Sequence, residues 1–203
     1  MMKSYGVVFL MAGLILAVGV DYAQAGLAVD FAEITMSSNN GNWSLGWSFT
    51  VEQPVTVTAL GFYDDLQNGL TQPHDVAIYD AQQQIVVSGQ VVPGDPLVSW
   101  WRWTQVQPVV LDPGVQYEIV AVTGDENYAW EPTGFVADPQ VNYLADAYRT
   151  PAGGVLAYPN GSDGIVGYFG PNFLLTNAIP APGALLLLAP GLMTLVGLRR
   201  KLS

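Results

Sequence analysis

The chain has 203 residues, with 17 acidic against 6 basic side chains, and its formal net charge at pH 7 is −11. A surface this acidic repels polyanions, which argues against nucleic acid as a partner. The chain has no cysteine, which excludes a disulfide framework, a thiolate metal site and a cysteine nucleophile.

The first element is an N-terminal segment with the features of a secretory signal peptide. Lys3 precedes an apolar run over residues 7–20, and Ala23 and Ala25 place small side chains at positions −3 and −1 of a cleavage site. The apolar run is short for a retained membrane helix. We therefore expect export through the translocon, cleavage after Ala25 by signal peptidase, and a mature chain that starts at Gly26.

The region that follows alternates β-branched or aromatic residues with small or polar ones. This period of two is typical of strands with one face against a core, and turn sequences rich in Pro, Gly and Asp separate the runs. The predicted strands cover residues 47–51, 55–63, 75–79, 85–91, 98–103, 109–111 and 116–122. Many short strands without a helical stripe predict an all-β fold over residues 26–175, an antiparallel β-sandwich of the jelly-roll type.

Several of these runs resemble a known family. They are WSFTV at 47–51, VTVTALG at 55–61, GL at 69–70 and HDVAIYD at 74–80. Between Leu45 and Val122 the chain resembles a DUF4082-type β-sandwich module. Such modules recur in exported bacterial proteins and have no assigned function, so the resemblance implies the fold and an exported setting, and it implies no activity.

The segment from residue 128 to residue 175 is richer in Gly, Pro, Asn, Tyr and Asp. This composition predicts long loops with two or three closing strands. The apolar pieces available for those strands are residues 153–158, 165–169 and 172–175. Residues 176–178 then form a short linker.

The chain ends in an apolar run over residues 184–198. A short proline motif precedes the run: Pro180, Ala181 and Pro182. Three basic residues follow it: Arg199, Arg200 and Lys201. The run is near the lower limit for a transmembrane helix, and the basic residues predict a cytoplasmic C-terminus. With an exported N-terminus, the domain then lies outside the membrane that the helix crosses.

This order of proline motif, apolar helix and basic cluster resembles the PEP-CTERM sorting signal of Gram-negative bacteria, with Ala181 where the family motif has Glu. The resemblance implies that an exosortase-type enzyme recognises residues 176–203 and cleaves near the proline motif. The domain would then leave an inner-membrane intermediate for the cell surface or the extracellular matrix. The alternative is a type I anchor that keeps the domain at the membrane.

Two groups of residues are candidates for a binding site. The first group carries side-chain oxygens in and near a Gly-containing loop: Asp64, Asp65, Asn68 and Asp75. Calcium takes about six to eight oxygen ligands at flexible geometry, so a calcium site is one interpretation. The alternative is a polar turn between two strands, because Asp, Asn and Gly favour turns.

The second group is aromatic. Trp101 and Trp103 share one face of the predicted strand at 98–103, and Arg102 lies on the other face. If the indoles are exposed, they could stack on sugar rings with Arg102 as a polar clamp, which predicts carbohydrate binding. The alternative is that these large aromatic side chains are part of the core.

His74 is the only histidine, and the chain has neither a nucleophile-elbow nor a phosphate-loop motif. We therefore expect a non-enzymatic protein without a resident cofactor, calcium excepted. The leading interpretation is an exported cell-surface or extracellular-matrix protein that is processed at its C-terminal sorting signal. The alternative is a carbohydrate- or calcium-binding module held by a type I anchor.

Overall fold

A computed structural model describes residues 25–130, 132–150 and 153–177. These residues form two antiparallel sheets packed face to face as an all-β sandwich. Ala25 is the first described residue and is exposed. The rest of the predicted signal peptide and the sorting motif lie outside the described residues.

Fourteen strands lie in these ranges, together with a 3-10 turn at Asp65–Gln67. The strands are β1 (Gly26–Leu27), β2 (Val29–Asp30), β3 (Met36–Ser38), β4 (Ser44–Val51), β5 (Val55–Tyr63), β6 (His74–Asp80), β7 (Ile85–Val91), β8 (Leu97–Val98), β9 (Trp101–Leu111), β10 (Tyr117–Val122), β11 (Tyr128–Trp130), β12 (Val136–Ala137), β13 (Val141–Arg149) and β14 (Pro171–Asn177).

The first sheet has the strand order β1-β14-β5-β9-β8, and the second has the order β13-β4-β10-β6-β7. Every neighbouring pair in the two sheets is antiparallel. Short pairs, β3 with β11 and β2 with β12, lie beside them. The chain repeatedly changes sheet between consecutive strands, which brings residues far apart in sequence together in the core.

Aromatic side chains fill much of the space between the sheets. Trp47 and Phe49 on β4 pack against Phe173 on β14, with ring centroids 5.8 and 5.0 Å apart. The indole Nε1 of Trp47 donates a hydrogen bond of 3.0 Å to the carbonyl of Pro171. Burying each large apolar side chain contributes about 1.5–3 kcal/mol, so these contacts hold the two sheets together.

Most of the predicted strands are confirmed. β5 and β7 have the predicted bounds. The predictions at residues 47–51, 75–79 and 172–175 fall inside β4, β6 and β14, and β10 begins one residue later than predicted. Period-two alternation therefore located the strands that line the core.

The prediction of separate strands at residues 98–103 and 109–111 was wrong. β8 ends at Val98, and a turn at Ser99 and Trp100 leads into β9. Ser99 has a positive φ of 54°, as a tight turn can require. β9 then continues without a break to Leu111, and a register shift against β5 accommodates it.

The prediction of closing strands at residues 153–158 and 165–169 was also wrong. The described parts of these segments form loops, with only an isolated bridge between Phe169 and Ala129. The strand that occupies this part of the second sheet is instead β13, which the sequence patterns did not indicate. Its pairing with β4 shifts register between Tyr143 and Ala145, so its side chains do not keep a simple alternation.

The first and last strands of the described sandwich, β1 and β14, are neighbours. Gly26 pairs with Leu175, so the start of β1 lies beside the end of β14. A buried side chain, Asn172, also holds the N-terminal segment. Its Nδ2 donates to the carbonyl of Val29 at 2.8 Å, and its Oδ1 accepts from the amide of Val29 at 3.3 Å. Asn172 thus gives Val29 the hydrogen bonds that a neighbouring strand would supply.

Candidate functional site

The tryptophans proposed as a sugar platform lie in the core. Trp101 is 0% exposed and Trp103 is 3% exposed, and the indole of Trp103 covers Gly61 on the neighbouring strand. Neither ring offers a free face, so a stacking platform at Trp101 and Trp103 is incompatible with this burial. The two side chains do share one face of a strand, as predicted, but that face is the inner one.

Arg102 points the other way and forms a buried ion pair. Its Nε lies 2.7 Å from Oδ2 of Asp64, and its Nη1 donates to the carbonyl of Asp95 at 2.8 Å. The Asp64 side chain is 1% exposed and also accepts from the amide of Gly69. Arg102 therefore ties the end of β5 to the start of β9 and is not a free clamp for a ligand.

The oxygen-bearing side chains proposed for calcium do not come together. Asp65 accepts from Tyr63 and Asn127 at 3.0 and 2.7 Å, whereas the exposed Asp75 accepts from Gln90 on β7 at 2.9 Å. Asn68 is exposed at the end of the 3-10 turn. Among the described residues, no group of three or more His, Cys, Asp or Glu side chains could hold a metal ion. The hydrogen bonds of Asp64 and Asp65 fit the alternative interpretation, a polar turn between two strands.

His74 is buried under Phe62, with its ring stacked at 3.7 Å and an interplanar angle of 3°. Nδ1 lies 2.9 Å from the carbonyl of Val122, and Nε2 has no partner among the described residues. Burial lowers the pKa of His74, although the hydrogen bond to Val122 and the charge of Glu126 oppose this. The neutral ring with Nδ1 as the donor fits this environment.

The outer face of the second sheet carries a different arrangement, which the sequence analysis did not find. Tyr117 and Ile119 point into the core, so Glu118 between them points outward. Glu118 pairs with Ser48 on β4 and with Tyr79 on β6, which places it in the middle of the sheet.

A loop crosses this face, and we call residues 153–159 the strap. Leu156 and Tyr158 pack against a cluster formed by Ala77, Tyr79 and Val120. Tyr79 and Tyr158 meet edge to face, with ring centroids 5.6 Å apart. The hydroxyl of Ser44 also bonds the carbonyl of Ala157 at 3.1 Å.

Between the strap and the sheet is a cleft of about 420 Å³, which we call the Glu118 cleft. The polar and aromatic side chains that line it are those of Ser48, Gln116, Glu118, Asp146, Tyr158 and Ser162. No basic side chain is among the residues that line it.

Glu118 is an unusual carboxylate within this cleft. It is 8% exposed, and its Oε1 accepts from Nε2 of Gln116 at 3.1 Å. Its Oε2 has no hydrogen-bond partner among the described residues. Burial raises the pKa of Glu118, and the hydrogen bond from Gln116 offsets part of this effect. A nearly buried carboxylate with an unpartnered oxygen is costly unless a donor reaches it.

The second carboxylate of the cleft, Asp146, has all the donors it needs. It is 1% exposed and accepts from the hydroxyl of Ser162 at 3.1 Å and from the amides of Asp163 and Ile165 at 2.8 and 2.9 Å. Asp146 thereby holds the loop at residues 162–165 against β13 and fixes one wall of the cleft. In Glu118, by contrast, Oε2 still lacks a donor among the described residues.

One sequence signal could have revealed this site. Glu118 is the only charged residue of β10, and the next outward-facing residue, Val120, is apolar and buried. An apolar outward residue indicates that something covers the face, and a carboxylate beside it must then lie under or beside that cover. The strap supplies the cover.

The residues named for export and sorting lie almost entirely outside the described ranges. They are Ala23, Pro180, Ala181, Pro182, Arg199, Arg200 and Lys201. Across residues 25–130, 132–150 and 153–177 there is no helix of sufficient length and apolarity to cross a membrane.

The family described as a domain of unknown function, DUF4082, matches residues 31–165. The match extends past both ends of the region where the runs of residues suggested it, and it includes Glu118 and the strap. None of the curated proteins matches the chain.

Proposed function

Since the chain belongs to the DUF4082 family, which is described as a domain of unknown function, we propose that it is an exported, non-enzymatic cell-surface or extracellular-matrix protein. Its β-sandwich presents the Glu118 cleft to a ligand. Export through the translocon, removal of residues 1–25 by signal peptidase and sorting by an exosortase-type enzyme are parts of this proposal.

The pairing of β1 with β14 is the observation that supports processing at both ends of the domain. Gly26, the first residue of the expected mature chain, is also the first residue of β1 and pairs with Leu175. The proline motif begins at Pro180, just after β14 ends at Asn177. Cleavage at either place leaves every described strand of the sandwich intact, and Gly26 and Asn177, the outer ends of β1 and β14, lie at the same end of the domain. This geometry suits a domain that is processed at both ends.

The strand order supports the jelly-roll assignment. Four strands of the first sheet, β1-β14-β5-β9, and four of the second, β4-β10-β6-β7, exchange the chain between sheets in the manner of two interlocked Greek keys. In this interpretation β13 is an additional edge strand beside β4, and β8 extends the first sheet.

Two described side chains that could perform catalysis, His74 and Asp146, are engaged in contacts of their own, which supports a non-enzymatic role. His74 is 1% exposed and stacked under Phe62. Hydrolysis of glycosides usually needs two available carboxyl groups, and in the Glu118 cleft the oxygens of Asp146 are occupied by donors of its own loop. A single carboxylate with a free oxygen is better suited to binding.

The test is an intact mass, with mapping of both terminal peptides, of the protein recovered from its host. We expect a chain that starts at Gly26 and ends near Pro182. A chain that retains residues 199–203 would contradict sorting and indicate a type I anchor. A chain that retains residues 1–25 would contradict export by this route. As a control, Ala25→Phe should block the first cleavage, because a bulky residue at position −1 is not accepted.

A further inference from the structure

The Glu118 cleft contains an acceptor without a donor. Oε2 of Glu118 has no partner among the described residues, although Oε1 is held by Gln116 at 3.1 Å. An ionised carboxylate in such a place gains most from a charged donor, because hydrogen bonds between ionised groups are about twice as strong as neutral ones. The ligand that completes this site should therefore bring a cationic N–H group.

The charges around the cleft also favour a cationic ligand. Asp146 adds a second carboxylate to its wall. Burial raises the pKa of Tyr158, and the charges of Glu118 and Asp80 add to this effect. The described residues include two basic side chains, Arg102 and Arg149. Arg102 is bound to Asp64, and neither lines the cleft. No basic side chain of the described residues therefore balances the negative charge at the cleft, which favours a cation over a neutral or anionic ligand.

The rest of the cleft fits a hydroxylated ring. The hydroxyl groups of Ser48 and Ser162 donate to the carbonyl of Ala145 and to Asp146, so their oxygens are left to accept from ring hydroxyls. Gln116, whose Nε2 donates to Glu118, adds an amide oxygen that can also accept. Tyr158 contributes an aromatic side chain to the same wall, and aromatic rings pack against the apolar face of a sugar as they do against other apolar surfaces. A cleft of about 420 Å³ is large enough for one sugar ring with part of a neighbour.

We propose that the Glu118 cleft binds an amino sugar, with the ammonium group paired to Glu118 and the ring held between Tyr158 and the hydroxyl groups of Ser48 and Ser162. The proposal rests on the function proposed above, since an exported surface protein meets amino sugars as free molecules and as units of cationic polysaccharides. Glu118 gives the preference for the amine, and Tyr158 gives the preference for a ring over a linear amine.

The experiment titrates glucosamine into the protein recovered from its host, with binding followed by calorimetry. The comparison ligands are glucose and N-acetylglucosamine, which have the ring without the charge, and arginine, which has the charge without the ring. We expect glucosamine to bind at least about tenfold more tightly than glucose or N-acetylglucosamine, since only glucosamine makes a charged hydrogen bond to Glu118. We expect it also to bind more tightly than arginine, which has no ring to pack against Tyr158. A short oligomer of glucosamine, run beside the monomer, distinguishes a polysaccharide ligand from a free sugar.

Two variants locate the site. Glu118→Gln keeps the shape and removes the charge, and it should weaken glucosamine binding at least about tenfold. Asp125→Asn removes one charge from an exposed position outside the cleft and should leave binding unchanged, which controls for general attraction of a cation. Tyr158→Leu, on the strap, should abolish the preference for glucosamine over arginine. It provides the test if Glu118→Gln does not fold.

Each other outcome overturns the proposal. Equal binding by Glu118→Gln and the unchanged protein would show that the cation is attracted elsewhere. Equal binding of N-acetylglucosamine would show that the charge is not recognised, and tighter binding of arginine would show that the ring is not. A protein that is exported and processed as proposed but binds none of these probes refutes only the amino-sugar site, so the two proposals fail separately.

Discussion

Replacing Asn172 with alanine tests how the N-terminal segment is held to the sandwich. Asn172 and Val29 are both 0% exposed. Val29 pairs with Ala137, and the amide of Asp138 donates to the carbonyl of Ala28. Because hydrogen-bonded and non-hydrogen-bonded pairs alternate along an antiparallel ladder, the amide and carbonyl of Val29 face away from β12 and depend on Asn172.

The alanine variant leaves these two buried backbone groups without partners. Each unpartnered group costs about 1–3 kcal/mol, so we expect a loss of about 2–6 kcal/mol in the free energy of unfolding. This is a large part of the total of about 5–15 kcal/mol that typical domains have. For a domain of about this size it corresponds to a fall in Tm of about 4–24 °C.

The assay is thermal and urea unfolding of the protein recovered from its host, with hydrogen exchange at the Val29 amide as a local readout. Asn142→Ala is the matched control, because Asn142 is exposed and, within the described part of the chain, its side chain bonds only Thr50 and Glu52. We expect the control to change stability by less than about 0.5 kcal/mol. If the two variants lose the same stability, or if the Val29 amide keeps its protection in Asn172→Ala, the reasoning is refuted.

Three further predictions concern the core and its ion pair. Burial lowers the pKa of folded His74 below its ordinary value of 6.5. The stability that neutral His74 contributes is therefore complete above pH 6.5 and is lost as the pH falls through the folded pKa. A pH series of urea melts checks this, and a free energy of unfolding that does not decline would contradict it. Asp64→Asn should cost about 3–5 kcal/mol because it leaves Arg102 unpaired in a largely buried place, and a double-mutant cycle with Arg102→Met should recover part of the loss, whereas additive losses would mean that the pair is not coupled. Gly61→Ala should cost about 1–3 kcal/mol, since its Cβ would lie 2.7 Å from the indole of Trp103, and near-UV circular dichroism should change with it; an unchanged spectrum and melt would show that the core yields.

The strands that could be predicted are those whose runs are rich in β-branched and apolar residues. β5 and β7 are such runs, and their predicted bounds are confirmed, although all of Ala59–Tyr63 in β5 is buried and the pairing of each strand shifts register once. β13 contains Asn142, Ala145 and Asp146 among its apolar residues and shifts register after Tyr143. Its alternation is interrupted, and the composition of a loop hides an edge strand of nine residues.

The turn between β8 and β9 could not be predicted from the sequence, for a different reason. Val98, Trp100 and Trp101 all have a high preference for strands, and Ser99 is an ordinary residue that here adopts a positive φ. Only the pairing of Leu97 with Arg102 shows that the chain reverses at this point. Local preference was overridden by a contact that the sequence does not display.

The candidate sites could likewise be predicted only where a local pattern determines them. The rule that places Trp101 and Trp103 on one face of a strand was correct, but it does not say which face is the inner one. Large aromatic side chains are more often buried than displayed, and here they are. Glu118 was not predicted as a site residue, because a single carboxylate forms no sequence motif. Its position in a cleft depends on the strap, residues 153–159.

The position of β14 has a mechanical consequence. A pulling force that enters the domain through Asn177 acts on an interior strand, which has β5 on one side and β1 on the other. A load along the strand must shear the long row of backbone pairs from Val55 to Phe62 at once, whereas an edge strand can be peeled one bond at a time. A domain pulled at Asn177 would therefore resist the load through the whole pairing of β14 with β5.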